Sequence, residues 1–253
     1  EKQLQSGRMD GKGGLSASYV RSIMLIIHSA LEYARQEGFY HALRTPIHKP
    51  VIEKKEVSVL SKLEREILEK NLLVRTNETK IGILISLYTG LRIGEVCALA
   101  WEDINFTEKI LHVRHTIARV KTLPEEEGNS KLILDTPKTK TSLRDIPVSS
   151  FLFPILVSAK EKAVSPFVVS TTETFISLRT YEYRYHKVLK ECNLPSINYH
   201  VLRHSFATRC IEAGVDVKTL SELLGHADVS ITLNTYVHSS MELKRVQLEK
   251  LTE

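Results

Sequence analysis

Four segments of the 253-residue sequence carry side chains suited to handling an anion. Arg92 lies in Thr89-Gly90-Leu91-Arg92-Ile93-Gly94-Glu95, and Lys138 and Lys140 lie in Pro137-Lys138-Thr139-Lys140-Thr141. His200 and Arg203 lie in His200-Val201-Leu202-Arg203-His204, and His226 follows Leu224-Gly225, with Tyr236 ten residues further on. An arginine just past a glycine turn, at a helix start, can aim its guanidinium and backbone N–H groups at one anion. His200 and Arg203, three residues apart, share a helix face. Each residue also has an ordinary reading. Arg92 and the two lysines read equally as solvated charges, His226 as a cation at a helix C-terminus, and Tyr236, one of nine tyrosines, as packing. His200 and His204 have the spacing of a metal pair, but no carboxylate stands near them to complete a ligand set, which disfavours a His-dependent metalloprotein. The P-loop pattern G-x-x-x-x-G-K-S/T, a G-x-G-x-x-G after a strand, and H-E-x-x-H are all missing from the sequence.

The elements that must position these residues are largely helical. Val20, Ile23, Met24, Ile27, Ala30, Leu31 and Ala34 repeat at three- and four-residue spacing, with Ser16 as N-cap and Gly38 as stop. Pro46, Pro50 and the charged run Glu53–Glu56 read as a linker over 46–57. Ser61-Lys62-Leu63-Glu64 is a capping box. Ile81, Leu84, Ile85 and Tyr88 form the next stripe, ended by Thr89-Gly90, and Ile93, Val96 and Leu99 suit a short helix after the turn. Residues 110–113, 131–134 and 145–148 are β-prone and predict a small antiparallel sheet with an extended hairpin insertion over about 110–135. Helical pattern resumes near residue 150. Asp216 caps a helix that Gly225 ends, and a tail helix is expected over about 240–253.

The net charge of +5 and pI of about 9.0 leave nucleic acid open as a partner without singling it out. No stretch approaches the roughly eighteen apolar residues that cross a bilayer, so no membrane partner is expected. Cys97, Cys192 and Cys210 are far apart and odd in number, against a disulfide framework or a zinc site and in keeping with a reducing cytosol. The first residue is Glu, so the chain reads as part of a longer one.

Taken together and in order, the four segments resemble the tyrosine recombinase (phage integrase-like) family. That pattern is an Arg in T-G-x-R-x-x-E, a hairpin Lys, H-x-x-R, a His in L-G-H and a Tyr about ten residues on. The long hairpin and the Pro137–Thr141 segment make the chain most similar to integrases of conjugative transposons. The resemblance covers about residues 58–253 and implies a mainly α catalytic domain with a small antiparallel β-sheet. Residues 1–45 resemble a remnant of the family's helical core-binding domain.

The resemblance implies a metal-free, cofactor-free DNA strand exchange through a 3′-phosphotyrosyl intermediate, integrating and excising a mobile element. Tyr236 is the implied nucleophile, His200 its base, Arg92 and Arg203 the clamp on the phosphate, and His226 a hydrogen-bond donor to it. Glu95 orients the cations, and a hairpin lysine protonates the leaving 5′-oxygen. Lys138 is the expected acid, because in the pattern the Lys ends the incoming strand eight or nine residues before a Pro, with Lys140 contacting a neighbouring phosphate. Partners implied are double-stranded recombination sites, further copies of the chain (dimer to tetramer) joined through the C-terminal helix, and an accessory DNA-bending protein, in the cytoplasm of a bacterial cell. Type IB topoisomerase-like relaxation and a catalytically inert DNA-binding protein are the alternatives. Neither the DNA target nor the direction of recombination is encoded in these motifs.

Overall fold

The computed structural model describes residues 14–39, 57–122, 130–136 and 140–236. The linker before residue 57, the polar stretch Pro124–Asn129, Lys138 and the expected tail helix over 240–253 lie outside the described residues. The chain divides into two compact units, 1–56 and 57–253.

The first unit carries helix α1, Ala17–Gln36, capped by Ser16, whose Oγ accepts the Tyr19 N–H at 3.2 Å. Val20 is buried and Ile23, Met24, Leu31 and Ala34 half-buried, whereas Ile26 and Tyr33 stand exposed.

In the second unit, helix α2 (Lys62–Leu73) opens on the capping box: Ser61 Oγ accepts from the Glu64 N–H, and Glu64 Oε2 accepts from the Ser61 N–H at 2.8 Å. Helix α3 (Glu78–Thr89) has ten buried residues out of twelve, more than the single stripe its periodicity predicts. It is the central element, packed against α2 and against α5 (Leu152–Glu161), α6 (Leu178–Glu191) and α7 (His200–Glu212). A helix surrounded on all sides buries all faces, so Ile83 and Leu87 join Ile81, Leu84 and Ile85 in the core. Short α4 (Ile93–Ala98) follows Gly90. Helices α8 (Val217–Leu224) and α9 (Val229–Tyr236) close the described chain.

The β-structure differs from the expected single sheet. β1 (Ile104–Asn105), β2 (Ile110–Val113) and β5 (Arg144–Pro147) form one antiparallel sheet with β2 central and Leu111 opposite Ile146. β3 (Thr116–Val120) and β4 (Lys131–Asp135) form a separate two-stranded sheet, with Ile117 opposite Leu134. The predicted runs at 110–113 and 131–134 are both strands, but they lie in different sheets, the first paired with β5 and the second with β3. The break falls at Arg114-His115, where Arg114 turns back to donate to Asp145 Oδ1 at 2.6 Å while β3 packs on α4. Each sheet is antiparallel, and the unit as a whole is mainly α.

The main core spans α2 through α7. A second, smaller cluster joins Ala207, Leu220, Leu224 and Tyr236, so α9 is fixed on α7 and α8. Among the described residues, no helix is long and apolar enough to cross a membrane.

Candidate active site

Two glycines organise the centre of the site. Gly90 ends α3 and Gly225 ends α8, both in the left-handed region (φ +70° and +65°), which glycine adopts without the cost of a Cβ. A Cβ at Gly90 would also run into Phe206, and one at Gly225 would press on Arg144 and the Thr141 carbonyl. These caps leave the last helix carbonyls pointing at one side chain. Arg203 donates from Nη1 to Gly90 O at 2.8 Å and from Nη2 to Leu224 O at 2.7 Å. With 1 % exposure, Arg203 is the largest fully buried side chain of the described residues. Burial, then the Arg92 charge, pull its pKa down to about 9, so it remains a cation at neutral pH. Two of its five N–H groups are used by the carbonyls.

Arg92 is the N-cap residue of α4. Its backbone N–H donates to Glu95 Oε2 at 2.8 Å and its Nη1 to Glu95 Oε1 at 2.9 Å. Arg92 Nη2 also reaches Gly225 O at 3.5 Å, and the Arg92 side chain stays 36 % exposed against 4 % for Glu95, so the guanidinium is anchored yet partly open. Glu95 is also gripped by Arg144, which donates from Nη1 and Nη2 at 3.0 and 2.8 Å. Burial works against the Glu95 carboxylate, but the Arg144 hydrogen bonds and charge, followed by Arg92, hold its pKa down to about 2. Three guanidinium groups around one carboxylate leave the cluster net positive, as a site for a phosphodiester requires.

The sequence reading did not single out Arg144. From β5 it ties together three separate segments: Glu95 on α4, Leu223 O at 2.7 Å at the end of α8, and Ser142 O at 3.1 Å in the turn that follows the lysines. Its flanking residues read as the start of a strand, and nothing local marks its long-range partners. Lys138 lies outside the described residues, and Lys140 opens the 3-10 turn Lys140–Ser142 that Arg144 holds.

His226 sits one residue past Gly225 with Nδ1 at 2.7 Å from Thr232 Oγ1. Burial, then Arg203, Arg92 and Arg144, lower its pKa to about 4, so the ring is neutral at pH 7. In the tautomer in which the threonine hydroxyl donates to Nδ1, the other ring nitrogen carries the proton and is a donor.

Tyr236 ends α9 and is buried. Its Oη lies 2.6 Å from Nδ1 of His204, not against His200, the residue the family pattern offers as base. His200 opens α7, is open to solvent on one side and meets His204 edge to face at 4.6 Å between centroids. Desolvation on its inner side, then His204, Arg203 and Arg92, lower its pKa. The sequence considered His204 only as half of a metal pair. The structure instead turns its ring to the tyrosine. Among the described residues, no three His, Cys, Asp or Glu side chains gather as a metal site.

A profile of the Phage integrase family matches residues 52–242. The "Tyrosine recombinase XerC-like" protein of Caldanaerobacter subterraneus subsp. tengcongensis is 33 % identical over 263 residues, covering 95 % of this chain and 67 % of that protein. The transposase from transposon Tn916 of Enterococcus faecalis is 30 % identical over 193 residues, 68 % of this chain and 46 % of the relative, so the chain spans about half to two thirds of these proteins' length. Among solved structures, the Tn1549 transposon integrase in complex with transposon right end DNA superposes with a TM-score of 0.73 at 23 % identity, covering 95 % of this chain and 81 % of that one. With the profile spanning three quarters of its length, the chain belongs to the phage integrase family of tyrosine recombinases.

Proposed function

We propose that the chain is the catalytic portion of a site-specific DNA recombinase, cutting and rejoining strands of a mobile element's ends through Tyr236. The observation that carries this reading is a buried tyrosine hydroxyl, bonded to His204, within the electrostatic reach of two arginines that are anchored on backbone carbonyls and a buried carboxylate. Relatives named for recombination and transposition support it.

The chemistry follows from the groups present. Tyr236 Oη attacks the scissile phosphorus, the bond to the 5′-oxygen breaks, and the 3′-phosphate stays on the enzyme. The phosphodiester's free energy is retained in the phosphotyrosyl bond, so the reverse step on a second strand needs no nucleotide cofactor. As the phosphorane forms, charge grows on its nonbridging oxygens. The free N–H groups of Arg92 and Arg203, and the His226 donor, face that charge without having to reorganise, which is the condition for a large electrostatic contribution. Arg144 and Glu95 hold the clamp. DNA is gripped largely through phosphates, with affinity falling steeply with salt.

The test is a nicked duplex of a site selected from a random pool by the chain itself. A protein–DNA band that survives denaturation is expected, and it should persist in excess EDTA because the guanidinium groups occupy the role metal ions take in many nucleases. A chain that binds the site and never forms the band is an inert binding protein. An EDTA block of the chemical step that Mg²⁺ relieves refutes the guanidinium clamp.

Lys138 is the proposed acid for the leaving 5′-oxygen, two residues before the Lys140–Ser142 turn that Arg144 fastens at Ser142. Lys138→Ala should slow cleavage by about 10²–10⁴-fold, and a bridging 5′-sulfur, which leaves without a proton, should restore the rate. Lys140→Ala should mainly weaken binding. Sulfur rescue of Lys140→Ala instead would move the acid to Lys140.

Assembly on DNA as a dimer to tetramer, through a C-terminal helix passed to a neighbouring copy, is the proposed quaternary arrangement. Truncation after Ser239 should then spare DNA binding and abolish ordered complexes in gel-shift and light-scattering measurements. Unchanged complexes would refute the exchange.

A further inference from the structure

The family pattern offers His200 as the base for the nucleophile, yet the ring nitrogen within hydrogen-bond distance of Tyr236 Oη belongs to His204, at 2.6 Å. This contact is set by packing on both sides. Tyr236 is seated in the small core with Ala207 of α7 and Leu220 and Leu224 of α8. The centroid of the His204 ring lies 4.6 Å from that of His200, the two rings nearly perpendicular, and 5.6 Å from that of Tyr236. One α-helical turn separates the two histidines, so a single rigid helix presents both rings and Arg203 between them.

We propose that His204 is the proton acceptor for the Tyr236 hydroxyl, and so a catalytic residue of this chain. As the Oη–phosphorus bond forms and the bond to the 5′-oxygen breaks, the phenolic proton passes to His204 Nδ1, while Lys138 supplies the proton taken up by the leaving 5′-oxygen. When the 5′-hydroxyl of the second strand displaces the tyrosine, His204 returns its proton to Oη and Lys138 recovers its own. This rests on the recombinase reading above.

The surroundings suit that exchange. The titratable and charged groups about the pair are His200 and Arg203 on α7, Tyr236 on α9 and Arg92 at the start of α4. Burial, then Arg203, lower the His204 pKa, which favours the neutral ring, and the tautomer with its proton on Nε2 lets Nδ1 accept from the Tyr236 hydroxyl. Burial raises the Tyr236 pKa while Arg203 and Arg92 pull it down, so the phenol keeps its proton at rest and gives it up as it attacks. His200, facing solvent on one side, is left free to contact the phosphate or the DNA backbone.

The deciding experiment measures single-turnover cleavage of the selected nicked duplex by His204→Asn and His200→Asn, each with tyrosine or trifluorotyrosine at position 236. Asparagine keeps a polar atom near the place of Nδ1 but takes no proton, and fluorination makes the phenol more acidic. His204→Asn should bind DNA normally and cleave about 10²-fold more slowly or worse. Trifluorotyrosine should restore its rate at least tenfold and leave His200→Asn unrescued, and a bridging 5′-sulfur should not help His204→Asn. His204→Gln gives the same comparison if the asparagine variant does not fold. Cleavage at or above the wild-type rate would mean that the contact only parks the hydroxyl. A slow variant without fluorine rescue, or rescue of His200→Asn alone, would equally overturn the proposal. Failure of the wild-type chain to form any adduct at Tyr236 is a different outcome, which rejects the recombinase reading itself.

Discussion

Tyr236→Phe is expected to bind the selected DNA site with unchanged affinity and to form no covalent complex. The substitution removes one oxygen and keeps the ring that packs on Ala207, Leu220 and Leu224. The lost hydrogen bond to His204 lies at the edge of the core, and its removal should cost about 0.5–1.5 kcal/mol, too little to unfold a unit of this size. Binding is carried by cations that the substitution leaves in place: Arg92 and Arg203 remain anchored on Glu95, Gly90 and Leu224. The chemical step, in contrast, has no substitute nucleophile. The other eight of the nine tyrosines include Tyr181 and Tyr199, which are buried in the main core and hydrogen-bonded to backbone oxygens of Thr79 and Gly82. The measurement is a gel shift beside a denaturing gel on the same nicked duplex. An adduct that persists in Tyr236→Phe, or one that peptide mapping places on another tyrosine, removes Tyr236 from its role.

How far the sequence reached follows from the range of each interaction. Helix ends were legible because their signals are local. The Ser61 box, the Asp216 cap and the Gly90 and Gly225 stops each involve partners within about four residues, and the structure places all of them as the pattern predicts. The family likeness was legible because its motifs are ordered along the chain. Strand pairing was not, since the runs at 110–113 and 131–134 are equally β-prone and only tertiary packing of β3 on α4 decides that they belong to different sheets. Arg144 and His204 were passed over for a related reason. Arg144 earns its place through Glu95, forty-nine positions away, and Leu223, seventy-nine away. His204 differs from an ordinary helix histidine only because Tyr236 comes to it from thirty-two residues further along.

Glu95→Gln and Arg144→Met should each destabilise the second unit strongly, while a double replacement by Leu and Met should cost less than their sum. The pair is almost dry, with side-chain exposures of 4 % and 5 %. Removing one partner leaves the other charge buried and only partly compensated: Glu95 retains Arg92, and Arg144 retains the Leu223 and Ser142 carbonyls. Losses of about 3–5 kcal/mol are typical of such breakage, while apolar replacement of both partners is often close to neutral. For a unit of this size that corresponds to a fall in Tm of about 6–20 °C for either single variant. Acid should act on the same pair. The Glu95 pKa lies at about 2 in the folded chain against an ordinary 4.5. A depressed carboxyl stabilises the fold above its unfolded pKa and loses that contribution as pH falls through the folded value. The contribution is about 3 kcal/mol, complete above about pH 4.5 and gone below about pH 2. Glu95→Gln should therefore show a flatter decline in unfolding free energy between pH 5 and 2 than the wild-type chain. Cleavage should drop in both single variants, since Arg144 also fixes the turn after Lys138 and Glu95 fixes the Arg92 fork. Strictly additive Tm losses in the double variant would show that the two groups do not act as a pair, and the clamp would then have to be held by the Gly90 and Leu224 carbonyls alone.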